Sequence, residues 1–183
     1  MRVISAAIVA LLLAAPVHAQ RDAVSPDLSP EAAASVFQSA VATVCVPAVT
    51  GNGVSGVTAA QQGKLRPTQD VETRKQAGAS PDETVWDVMD GKGVVTVREK
   101  PRQCVVSVYG APAKAAVAGV SETLASTPGV RGISTTSVGD LKKTVTFEVG
   151  PRTVQVRVAG SEPGSPGHQS RFSVVTATVT RAQ

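Results

Sequence analysis

LKKTVTFEVGPRTVQVRVA, residues 141–159, is the stretch that decides the fold of this chain. Val145, Phe147 and Val149 alternate with Thr144, Thr146 and Glu148, and after a Gly150-Pro151 turn Val154, Val156 and Val158 alternate with polar partners. A period of two places one face on a core and the other in water, as in an antiparallel meander. Residues 171–180 supply a further strand beyond a Gly/Ser/Pro loop at 160–170, and a weaker strand falls between residues 130 and 138.

Upstream, residues 84–89 and 93–99 flank Asp90-Gly91-Lys92, a hairpin signal, and residues 103–109 form a third strand with Cys104, Val106 and Val108 on one face. Two helices complete the pattern. Ser29-Pro30-Glu31 combines an N-cap, a first-turn proline and a first-turn acid, and Val36, Phe37, Ala40, Val41, Val44 and Cys45 then make one apolar stripe. Pro47 disfavours helical geometry in its predecessor, so the helix is expected to stop at or before Val46. Pro112 opens the second helix, whose stripe is Ala113, Ala116, Val117, Val120 and Leu124.

The expected architecture is α+β, a mostly antiparallel sheet of about six to seven strands with two main helices on one face, that is, a two-layer sandwich. No internal repeat is convincing in the residues, although the βββ blocks on either side of the second helix allow a distant pseudo-repeat. Residues 1–19 read as a signal peptide, 20–28 as a flexible N-terminal arm, and 29–183 as a single domain with a variable insertion at 48–82. That insertion is glycine-broken and charged, and reads as a surface excursion with one or two helical turns.

Arg2, an apolar run to Ala15 and Val17-His18-Ala19 are the three parts of a cleavable leader, which addresses the product to the periplasm or the exterior. The apolar part of the leader, residues 3–15, is shorter than the roughly twenty residues of a membrane span, and no other stretch is expected to cross. Loss of Arg2 lowers the net charge from +4 to +3, scattered along the chain, and the aromatics number only five: Phe37, Trp86, Tyr109, Phe147 and Phe172. Nucleic-acid binding, which needs clustered cations and stacking rings, is therefore not expected.

Cys45 and Cys104, the only cysteines, are expected to form a structural disulfide closing a loop of about sixty residues, for which chain entropy gives roughly 4 kcal/mol. They lack the Cys-x-x-Cys spacing of a redox pair. Gly51-Asn52-Gly53-Val54-Ser55-Gly56 matches a dinucleotide fingerprint in letters, but it follows a helix rather than a strand and reads as a flexible exit. His168, beside Ser165 and Ser170, lies in a Gly/Ser/Pro loop with no G-x-S-x-G elbow in the chain. Asp87 with Asp90, and Asp82 with Glu83, are the carboxylate pairs available for acid and base work, although they flank a hairpin where acids serve turns.

Trp86 reads as a core anchor or as a contact for a partner. Lys142-Lys143 and the group Arg98, Lys100, Arg102 read as solvated strand ends, with contact to an acidic envelope surface as the other use. No catalytic, metal or cofactor residue is assigned, and no cofactor is expected. The expected function is that of an exported soluble non-catalytic module, an accessory binding or cell-envelope interaction protein whose partner is an envelope protein or a small ligand. The alternative is a small periplasmic hydrolase or lyase using carboxylates in a cleft. Intact-mass analysis of the exported protein is expected to place its first residue at Gln20; retention of Met1 in a cytoplasmic product would sink the export reading.

Overall fold

The computed structural model describes residues 28–100, 102–165 and 170–182; the leader, residues 20–27 of the arm and His168 lie outside them. A helix α1 (Pro30–Ala40) runs through a π-turn (Val41–Cys45) into α2 (Val46–Thr50), followed by a 3-10 turn (Val54–Gly56), α3 (Thr58–Gln61), β1 (Leu65–Thr68) and α4 (Val71–Gln76). Next come β2 (Thr84–Val88), a 3-10 turn (Met89–Gly91), β3 (Val95–Lys100), β4 (Gln103–Tyr109) and α5 (Ala113–Ala125). The chain closes with β5 (Val130–Ser137), β6 (Lys142–Val149), β7 (Arg152–Ser161) and β8 (Val174–Arg181).

All neighbouring strands are antiparallel and form one eight-stranded sheet in the order β1-β2-β3-β4-β8-β7-β6-β5. The order is that of two four-stranded meanders, each preceded by a main helix and joined at β4 and β8. The α+β class and antiparallel sheet agree with the alternation in the strands. The sheet exceeds the expected strand count because residues 65–68 supply an edge strand inside what reads as an excursion. Pro67 is tolerated there since β1 pairs on one side only, with β2.

One face of the sheet carries the core. Val97, Cys104, Val106, Phe147, Val156 and Ala177 point toward α1 and α5, whose Phe37, Val41, Val117 and Val120 meet them fully shielded from solvent. Burying a Val or Phe side chain contributes about 1.5–3 kcal/mol, so this valine-rich layer is the main stabilising term. The helices cross closely at Gly119, where a Cβ would collide with the Gln38 amide. That amide donates to the Ala115 carbonyl at 3.1 Å.

The first helix does not stop at Val46. Its Val46 N–H reaches back to the Val41 carbonyl, five residues away, and this wider turn makes room for Pro47, whose ring would otherwise press on the preceding turn. The continuous helix Pro30–Thr50 is thus 21 residues long, and by length and composition alone it is long and apolar enough to cross a membrane, contrary to the expectation that no later stretch qualifies. Its apolar side chains are instead buried against the sheet. The helix also brings Cys45 to Cys104 with Cα atoms 5.3 Å apart, and the two form a disulfide.

Replacing both cysteines by Ala is expected to lower stability by roughly 2–5 kcal/mol, because the bond ties the first helix to the middle of the sheet across a long loop. Urea unfolding of the oxidised protein measures this; an unchanged midpoint contradicts a stabilising role.

Candidate functional site

The face turned away from the main helices is built from the polar positions of the strands. One cross-strand row runs over it, with Thr68, Val85, Arg98 and Val105 from β1 to β4. Across the seam the row continues as Thr178, Arg157, Thr144 and Thr136 from β8 to β5. The two halves of this row have different fates.

The first half is covered by the chain itself. Asp70 caps α4 by accepting from the Thr73 N–H at 2.9 Å, and α4 with residues 77–83 lies over β2, β3 and β4. The Tyr109 hydroxyl donates to the Gln76 carbonyl, and the Arg98 guanidinium donates to the Gly78 carbonyl. Glu83, with its side chain only 4% exposed, receives Arg98 at 3.2 Å and Lys100 at 2.7 Å, and accepts from the Ser80 N–H at 2.6 Å. Val85 and Val105 are buried beneath this cover. Burial raises the Tyr109 hydroxyl above its ordinary pKa, opposed by the Arg98 charge. Burial also raises Asp87, opposed by its hydrogen bond with Thr68.

The second half is open. Arg157 is exposed, and its Nε–H donates to Gln155 Oε1 at 2.8 Å, which fixes the plane of the guanidinium while leaving its terminal nitrogens toward solvent. Half-buried Thr144 and Thr178 flank it, and exposed Lys142 shares its face two residues before Thr144. These residues line a shallow groove of about 340 Å³, with Val138, 72% exposed, at its rim. Among the described residues neither Arg157 nor Lys142 forms an ion pair.

Two other clefts flank the first helix, one at its C-terminal end and one along its length. One, of about 450 Å³, is bounded by Asn52, Glu99, Arg102 and Arg181, with Cys104 in its wall. Its shape explains the glycine motif: Gly53 has φ 82°, and Glu99 occupies the place a Cβ would take while accepting from the Val54 N–H at 2.9 Å. The glycines end a helix and seat a loop on Glu99; only the single 3-10 turn Val54–Gly56 opens on Gly53, and its first N–H is taken by Glu99, so the α-helix N-terminus that a pyrophosphate cradle requires does not follow them. The other cleft, also about 450 Å³, runs along α1 and is lined by Ser39, Thr43, Thr58, Leu65 and Asp90.

The expected carboxylate pairs do not converge. Asp87 belongs to the back face, in register with Thr96, whereas Asp90 lines the cleft beside α1. Glu83 is consumed by its cations and Asp82 lines the polar cleft. The group Arg98, Lys100, Arg102 is not a set of solvated strand ends as read: Arg98 and Lys100 clamp Glu83, and Arg102 alone is exposed, in the β3–β4 turn with φ 61°. Lys142 and Lys143 part company as neighbours on a strand must. Lys143 turns to the helix side and donates to the Ala118 carbonyl at 3.0 Å. Trp86 is half-buried against the core, in register with Pro67 and Val97, and lines neither cleft nor groove. Ser170 accepts from the Phe172 N–H within its loop. Among the described residues no group of three or more His, Cys, Asp or Glu gathers as a metal site would.

Comparison with protein-family models, curated proteins and solved structures finds no match to this chain. The open half of the back face is the surface that sequence reasoning missed. Its residues read as the wet side of single strands, and only the adjacency of β8 to both β4 and β7 assembles them.

Glu83→Gln is expected to destabilise the protein by about 1–3 kcal/mol, since it leaves two cations facing a buried position, reduced by the partial exposure of Lys100. Denaturant titration checks this, and a stability equal to wild type would mean that Glu83 does not hold the cover in place.

Proposed function

We propose that the chain is an exported, disulfide-stapled binding module that holds a partner on the open half of its sheet. The leader and the Cys45–Cys104 bond support export, since such bonds persist in oxidising compartments. The observation that carries the binding role is the unequal treatment of one continuous surface: residues 76–83 cover the back face over β2 to β4, whereas among the described residues none covers the matching face over β8, β7 and β6. An antiparallel sheet can face water on one side, and rigid strands make precise platforms for recognition.

The groove there offers hydroxyl groups from Thr136, Thr144, Thr176 and Thr178, two cations and an apolar rim. That mixture suits a polar partner of moderate affinity. The mature protein acts through this face on a component of the cell envelope.

Affinity capture from the native envelope fraction tests the proposal when run with two variants. Thr178→Trp, which fills the open groove, is expected to reduce the captured partner by at least about tenfold, a loss of roughly 1.4 kcal/mol. Thr58→Trp, in the cleft beside α1, is expected to leave capture unchanged. Capture that survives Thr178→Trp and is lost with Thr58→Trp would move the working surface to the other side of the molecule.

A further inference from the structure

We infer that the open half is built to receive an acidic peptide segment of a partner protein, with a carboxylate seated between Arg157 and Lys142. This rests on the proposed use of that face and adds the chemistry of what lands on it. The support is positional. Counting outward from the β4–β8 seam along the shared row, Val105 answers to Thr178, Arg98 to Arg157, and Val85 to Thr144. Two residues before Val85 stands Glu83; two residues before Thr144 stands Lys142.

In the first half, then, the central arginine finds its acid within the chain. Arg98 holds the Glu83 carboxylate at 3.2 Å and also donates to the Gly78 carbonyl of the covering segment. In the second half the arginine is kept and the acid is replaced by a cation. Two positive side chains share a face with no acid paired to either among the described residues. A partner supplies the anion. An arginine whose Nε is already engaged presents its remaining N–H groups as a fork suited to a carboxylate.

The occupant is peptide rather than a bare anion for two reasons. In the covered half the arginine at the corresponding position, Arg98, binds a backbone carbonyl together with the acid. In addition, exposed Val138 at the rim offers an apolar contact that a small inorganic ion cannot use.

The chain supplies its own probe. A capped peptide copying residues 78–84, added in trans to isotope-labelled mature protein, is expected to shift backbone amide signals at residues 142–146, 155–159 and 176–180. Changing the peptide's glutamate to glutamine, or Arg157→Ala in the protein, is expected to weaken binding by about threefold to fivefold, while Arg157→Lys restores part of it. Equal binding of the glutamate and glutamine peptides, no shift at those residues, or equally strong shifts with inorganic phosphate would each overturn the inference. Capture of an envelope partner that is abolished by Thr178→Trp yet indifferent to Arg157→Ala would also overturn it, and would leave the docking face itself standing.

Discussion

The pairing of β4 with β8 is the constraint on which the rest of the molecule depends. Residues 103–109 lie against residues 174–180, so the hydrogen bonds that fuse the two meanders into one sheet join segments far apart in the chain. Such contacts have a large closure entropy to overcome. The seam offsets it with fully buried Cys104, Val106, Val108, Val175, Ala177 and Val179 on one face. The disulfide enters at this point, since Cys104 stands opposite Val179 and ties the first helix to the strand pair that closes last in sequence.

Once the seam is set, the helices have one place to go. Small residues at the crossing, Gly119 above all, let α1 and α5 approach, and a core made chiefly of valine and alanine keeps the layer thin. The π-turn at Val41–Cys45 belongs to the same economy. It lets one helix run past Pro47 and still present Cys45 to the sheet, where a stop at Val46 would have left α2 and its buried Val46, Ala48 and Val49 without a framework.

Much of this was legible in the residues. The strict alternation through Val145, Phe147, Val154 and Val156 announced antiparallel strands with one wet face, and the helix stripes named the residues that meet them. Two features escaped for physical reasons. Leu65–Thr68 is too short to show a period and contains Pro67, whose usual meaning is a break, so an edge strand looked like a loop. Pro47 likewise meant a stop only because a π-turn cannot be seen in a list of residues. The open face was illegible for a different reason: Thr144, Arg157 and Thr178 become neighbours through a strand order that runs backward from β8 to β5, and no local pattern encodes that order.

The two halves of the back face also differ in what a salt bridge is worth. Around Glu83, nearly sealed from water, an unpaired charge is costly, so the contact enforces one arrangement of the covering segment. Around Arg157, in solvent, a single carboxylate contributes on the order of 1 kcal/mol or less and is weakened by salt. A partner held there must therefore draw most of its affinity from backbone and apolar contacts along the threonine-lined strands, with the charge selecting which segments dock and speeding their arrival. The same row of residues thus acts as a latch where the chain closes over it and as a selector where it does not.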